Sequence, residues 1–194
     1  MVLAALAKAI ESHDPFTRGH SARVSSLAAV IARRLGWTSK RLSALHMGGL
    51  LHDVGKLNLD EALLLKPGPL DAREYDEIRR HPLAGARLIR SFEALRPALP
   101  YILFHHERWD GSGYPTGRFY EQIPLGARIV AVVDAFDAMT STRPYRAPLP
   151  LRSALAELNC GAGTQFDPTV VRAFFSAWND GELDRFVPEE RLSA

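Results

Sequence analysis

The chain has 194 residues, of which 46% are hydrophobic and 24% charged; this suits one domain, alone or with a small appendage, and argues against a disordered polymer. A net charge of +2, without any long basic run, argues against duplex nucleic acid as a partner. A single cysteine, Cys160, excludes an intrachain disulfide framework and fits a reducing, cytoplasmic setting.

Helical periodicity dominates the chain. Residues 1–10 are apolar but far short of the ~20 needed to cross a bilayer, and they lack the basic flank of a signal peptide. They read as a helix, and a helix starting at residue 1 fits the edge of a longer protein with an upstream sensory or receiver domain. Val24, Leu27, Ala28, Ile31 and Leu35 then recur at helical spacing, with Gly36 as the stop. Leu42, Leu45, Leu50 and Leu51 form a second run that ends near Val54-Gly55.

Asp71 and Glu74 read as a capping box, and Pro82 suits the first turn of the next helix. Residues 96–106 predict another helix. Residues 126–141 are long and apolar, and their length and neighbours favour helix over strand. Asp167-Pro168 caps a last helix through Trp178. Between these lies the exception, 107–124, rich in glycine and proline. A loop this long inside a compact domain is uncommon and often functional.

Several residues on this framework carry possible chemistry. His52-Asp53, followed by Gly55 and Lys56, reads either as a helix end with two surface polar groups or as a metal-binding pair. Imidazole suits divalent transition metals, and one carboxylate can serve two of them. His105-His106 sits where a helix meets the glycine-rich loop, and reads either as a pair on a solvent face or as two rings that converge where the helix stops. Asp134 lies in the apolar run Val132-Val133-Asp134-Ala135-Phe136, where a carboxylate needs a cation or several donors. Asp137 shares its helix face. His20 and His81 each mark a helix boundary and singly read as capping or surface residues; His13 and His46 read as structural.

The order His20, His52-Asp53, His81, His105-His106, Asp134, with Asp110-Gly111-Ser112-Gly113-Tyr114-Pro115, resembles the HD-GYP family of the HD phosphohydrolase superfamily. The likeness runs from Asp14-Pro15-Phe16-Thr17-Arg18-Gly19-His20 to Phe166-Asp167-Pro168. It includes Lys66-Pro67-Gly68 and Arg143-Pro144-Tyr145-Arg146. It implies an all-α, HD-domain-like helical bundle with the Gly/Pro-rich loop beside a metal site. One domain over residues 1–194 is expected, its core at about 14–178 and a short extension at 179–194.

The resemblance further implies a bacterial cytoplasmic phosphodiesterase that hydrolyses cyclic di-GMP to linear pGpG, with GMP as a candidate second product. The expected chemistry is in-line attack on phosphorus by hydroxide held at a dinuclear centre. Two divalent transition-metal ions are implied, iron or manganese first, with nickel, cobalt and zinc as further candidates. His81, His105, His106 and a bridging Asp53 would hold one ion, and His20, His52 and Asp134 the other. Lys56 would reach the scissile phosphate. Tyr114, Asp137, Arg143 and Arg146 become candidate guanine and phosphate contacts. Some members with a third metal carry Glu where Phe16 stands here, which favours two ions. GGDEF-domain proteins are candidate partners. Two other readings remain: a catalytically weak cyclic di-GMP receptor or interaction module using the aromatic loop, and a phosphodiesterase for another cyclic dinucleotide.

Overall fold

The computed structural model describes residues 2–14, 19–141 and 147–187. Among these, the regular structure is helical: α1 (Val2–His13), α2 (His20–Arg34), α3 (Ser39–Leu51), α4 (Glu61–Leu64), α5 (Ala72–Ile78), α6 (His81–Ile89), α7 (Leu99–Phe104), α8 (Leu125–Thr140), α9 (Leu151–Cys160) and α10 (Pro168–Asn179). An isolated bridge joins Ala162 and Phe166. No helix among the described residues is long and apolar enough to cross a membrane.

The local signals act as their chemistry dictates. Asp71 accepts from the backbone of Arg73 and Glu74 while Glu74 accepts from the Asp71 N–H, so the capping box forms and starts α5. Pro82 and Pro168 sit in first turns, where no amide hydrogen is needed. Gly36 closes α2 with φ 77°, a conformation glycine adopts without strain. The apolar run at 126–141 is indeed helical, as α8.

Two expectations change. The single helix expected at 96–106 is divided into a 3-10 segment, Glu93–Ala98, and α7. Pro97 lies inside the first, and Pro100 starts the second; neither ring can occupy a continuous helix interior. Helix α9 is an addition to the elements expected from the sequence. It follows Pro150 and packs Ala154 and Leu158 inward.

Helix α2 packs against α3, α8 and α10. Its Val24, Leu27, Ala28 and Ile31 meet Ile129, Val130, Val133 and Phe136 of α8 and Phe174 of α10 in the larger core. A smaller core gathers Leu51, Val54, Ile89 and Ile102 beneath α1. Close backbone approaches align the two. A Cβ at Gly49 would stand 2.7 Å from the Ser25 Cα, so α3 lies directly on α2. A Cβ at Gly55 would collide with the His81 carbonyl oxygen and the Gly85 amide. Gly55 is therefore needed less as a helix stop than as the point where α6 touches the turn after Asp53.

Candidate metal centre

Helix ends build the centre. His20 opens α2 directly after Gly19, which is left-handed at φ 69°. His52 follows α3, and Asp53 starts the 3-10 segment Val54–Asn58. His81 opens α6, and His105-His106 follows α7. Asp134 and Asp137 project from one face of α8.

Helix termini leave backbone carbonyls without partners, and three of the rings use them. Nδ1 of His52 lies 2.8 Å from the Gly49 carbonyl, that of His81 2.7 Å from Ile78, and that of His105 2.7 Å from Ile102. A carbonyl only accepts, so each Nδ1 carries a proton, and in the neutral ring it is Nε2 that keeps the lone pair. These lone pairs face inward. Nε2 of His81 and His105 stand 3.3 Å apart, and Nε2 of His52 is buried without a hydrogen-bond partner. Two neutral rings with Nδ1 protonated would set two lone pairs against each other at that separation, an arrangement an electron-deficient neighbour relieves. Burial, with the neighbouring imidazoles, pushes His105 well below its ordinary pKa, and burial beside His81 pushes His106 down to about 3. Both are neutral donors at neutral pH. This arrangement fits metal ions.

The donors fall into two groups: Asp53, His81, His105 and His106 in one, His20, His52 and Asp134 in the other. Within each, one ligating atom per residue lies within 4.8 Å of all the rest. Asp53 spans the two. Its Oδ1 is 3.2 Å from His81 Nε2 and 3.9 Å from His105 Nε2, while Oδ2 is 3.4 Å from His52 Nε2. Asp134 Oδ1 is 3.2 Å from His20 Nε2 and 3.8 Å from His52 Nε2. Burial opposes the charge on Asp53, but Lys56 and the histidines hold its carboxyl well below the usual range. Asp134 is likewise kept ionised against its burial, chiefly by His20 and His52.

Lys56 sits at the rim, with Nζ 2.7 Å from Asp53 Oδ2 and 3.4 Å from Asp14 Oδ2. Tyr114 stacks on His106 with centroids 4.8 Å apart at 25°. Its loop is folded back tightly: Tyr114 N–H donates to the His106 carbonyl, and a Cβ at Gly113 would strike the backbone of 106–108. Burial pushes the Tyr114 phenol up, as do Tyr75 and the Asp53 and Asp134 carboxylates, while Arg79 pulls it down.

Asp137 is placed differently from the expected substrate contacts. It is buried, its Oδ2 lies 2.7 Å from His20 Nδ1, and Arg23 donates to both of its oxygens at 2.6 and 3.0 Å. Burial works to lower the His20 pKa, yet hydrogen bonds to Asp134 and Asp137 raise it to about 9. Arg143, Arg146 and Phe16 lie outside the described residues. The two histidines read as structural stand outside both donor groups: His13 Nε2 meets the Leu59 carbonyl and His46 Nδ1 the Ser25 hydroxyl.

Sequence reasoning missed three participants. Arg23 stands three residues after His20 on one helix face, a spacing that could have exposed it. Glu107 accepts from the backbone and hydroxyl of Thr116 through Oε1, which ties down the loop. Arg79 carries no sequence signal. Of the loop aromatics, Phe119 and Tyr120 are exposed, whereas Trp109 packs edge-to-face on Tyr120 beneath Arg128.

Comparison with known proteins agrees with this geometry. The chain is 42% identical over 173 residues to the cyclic di-GMP phosphodiesterase response regulator RpfG of Xanthomonas campestris pv. campestris, covering 88% of this chain and 46% of that protein. It is 39% identical over 166 residues to a cyclic di-GMP phosphodiesterase of Thermotoga maritima, covering 84% and 45%. It thus spans about half the length of these curated relatives. A crystal structure of a cyclic GMP-AMP specific phosphodiesterase of V. cholerae superposes with a TM-score of 0.74 at 19% identity, over 93% of this chain and 49% of that one, and so shares the fold. The family model described as HD domain matches residues 4–170, and with most of its length inside that match the chain belongs to the HD domain family.

Proposed function

We propose that the chain is a metal-dependent phosphodiesterase that opens one 3′ ester of cyclic di-GMP to give linear pGpG. The observation that carries this reading is the Asp53 carboxylate, one oxygen of which faces each donor group. Asp53, His81, His105 and His106 would hold one divalent cation, and His20, His52 and Asp134 the other. Iron and manganese suit this mixed imidazole and carboxylate set. Such ions supply a nucleophile at neutral pH and positive charge at the phosphoryl oxygens.

The chain's own residues do the rest. Nδ1–H bonds to helix-end carbonyls hold three rings with their lone pairs inward, so the site is organised before ligand arrives. Asp53 and Asp134 supply two negative charges against four from two divalent ions, which leaves a net positive site for a phosphodiester. Lys56, a compact point charge beside Asp53, offsets charge on a non-bridging oxygen. Asp137, locked by Arg23, acts by aiming His20, which makes it a positioning residue. Tyr114 walls the side nearest His106.

The names of the relatives support cyclic di-GMP as substrate. The test is anaerobic purification, metal analysis and a turnover assay. Metal-dependent release of pGpG at substoichiometric enzyme is expected. A fully metal-loaded protein that binds cyclic di-GMP without turnover would instead be a receptor, and the enzymatic reading would fall. The same assay with a mixed GMP–AMP ring decides between the two dinucleotides.

A further inference from the structure

We propose that Arg79, held against the rings of Tyr75 and Tyr114 at the rim of the metal centre, reads the edge of a guanine base in the bound dinucleotide. This rests on the phosphodiesterase reading above and adds to it the element that selects the base.

The geometry is a ladder leading outward from the cluster. Tyr114 stacks on His106 at 4.8 Å. The Arg79 guanidinium carbon lies 5.0 Å from the Tyr114 centroid and 5.7 Å from that of Tyr75. Tyr75, the outermost member, is 50% exposed. Arg79 follows α5 directly and stands two residues before His81, so the same turn that delivers a cluster donor delivers this cation. A phosphate held at the centre therefore has its sugar and base leaving past Tyr114 and Arg79.

The hydrogen-bonding capacity of Arg79 is unused. Its backbone N–H donates to the Tyr75 carbonyl, but among the described residues its guanidinium makes no hydrogen bond, and its ion pair with Asp76 is stretched to 3.9 Å. Three other arginines are committed: Arg23 to Asp137, Arg108 to Asp110 and Ser112, and Arg128 to Asp167 and the Ile123 carbonyl. Two aromatic faces hold the planar group without consuming its N–H donors, because the attraction is between cation and ring face. The result is a positioned fork with nothing to bind.

Guanine supplies what this fork lacks. Its N7 and O6 are adjacent acceptors that match a bidentate guanidinium, whereas adenine offers N7 beside an amino donor that repels it. The neighbouring tyrosine rings offer stacking surface to any base, so they add affinity without choice. Choice falls to Arg79.

The experiment uses the metal-loaded full chain and compares wild type with Arg79→Ala and Arg79→Lys. KM is measured for cyclic di-GMP, and Ki for cyclic di-AMP added as competitor, with metal content determined for each preparation. Both variants should raise KM for cyclic di-GMP by about tenfold, while Ki for cyclic di-AMP moves much less. The lysine variant keeps the charge and loses the fork, so it separates edge recognition from simple attraction. An unchanged KM, or equal shifts in KM and Ki, would overturn the assignment. If wild-type protein with full metal neither binds nor cleaves cyclic di-GMP, the functional reading itself fails, and the Arg79 assignment goes with it.

Discussion

Oδ1 of Asp53 lies 3.2 Å from Nε2 of His81, while the other oxygen of the same carboxylate turns toward His52 and Lys56. One side chain therefore faces both donor groups. Replacing it should disturb both. Asp53→Asn keeps the shape and removes the charge. We expect metal content to fall from two ions per chain to near none, with turnover lost. Elemental analysis of the purified variant checks this; two retained ions would remove Asp53 from the bridging position.

Lys56 tests a different link. Its ammonium touches Asp53 yet offers nothing to a metal ion. Lys56→Ala should leave metal largely in place and lower kcat by roughly 10²- to 10³-fold, the usual cost of losing one positioned charge-stabilising donor. Steady-state kinetics alongside metal analysis separate the outcomes. A loss of metal equal to the loss of rate would show that Lys56 serves only to settle Asp53.

Asp137 should act through His20 alone. Asp137→Asn leaves an amide that orients the ring poorly and lowers its basicity. Metal affinity of the His20, His52 and Asp134 group should drop about 10- to 100-fold, with the Asp53, His81, His105 and His106 group nearly unaffected. Titration with a chelator reads the two affinities separately. Equal weakening of both would contradict a role confined to His20.

The buried histidines predict an acid-side weakness in the metal-free protein. His106 is held at about 3 when folded and returns to its ordinary 6.5 when unfolded. Below pH 6.5 the unfolded chain takes up a proton that the folded chain refuses, so stability falls as pH falls. From pH 7 to pH 5 this costs about 2 kcal/mol for such a group. His20 has the opposite sign. Its folded pKa of about 9 contributes stability fully present below 6.5 and lost as pH rises through 9. Urea unfolding of wild type and His106→Asn at both pH values tests the first claim: the variant should lose less between pH 7 and pH 5. Parallel losses would contradict it.

Much of the site was legible because its chemistry is concentrated in uncommon residue types. Of seven histidines, five fall in the two donor groups, and each stands at a helix boundary marked by glycine, proline or an apolar run. Asp134 announced itself as a carboxylate in an apolar stretch. The resemblance then grouped these residues in the two sets that the structure brings together. The Asp71–Glu74 box and the Asp167 cap were equally plain, because their hydrogen bonds span only a few residues.

What stayed hidden depends on long-range contact. Asp137 and Arg23 are separated by 114 positions, so neither spacing nor periodicity could show that one immobilises the other. Pro97 divides a segment whose apolar pattern reads as a single helix. Gly55 reads as a helix stop, yet its decisive neighbour is a carbonyl on α6.

The sequence by itself determined the helical class, the helix boundaries that caps and prolines mark, and the supply of metal donors. Those follow from local backbone chemistry and from side-chain type. Only the tertiary structure decided which lone pairs converge, which Asp53 oxygen faces which group, and that Arg79 is pinned between two rings with its donors unspent. Such matters turn on side-chain direction across packed helices, and direction is fixed by close approaches, such as those at Gly49 and Gly55, that no stretch of chain contains alone.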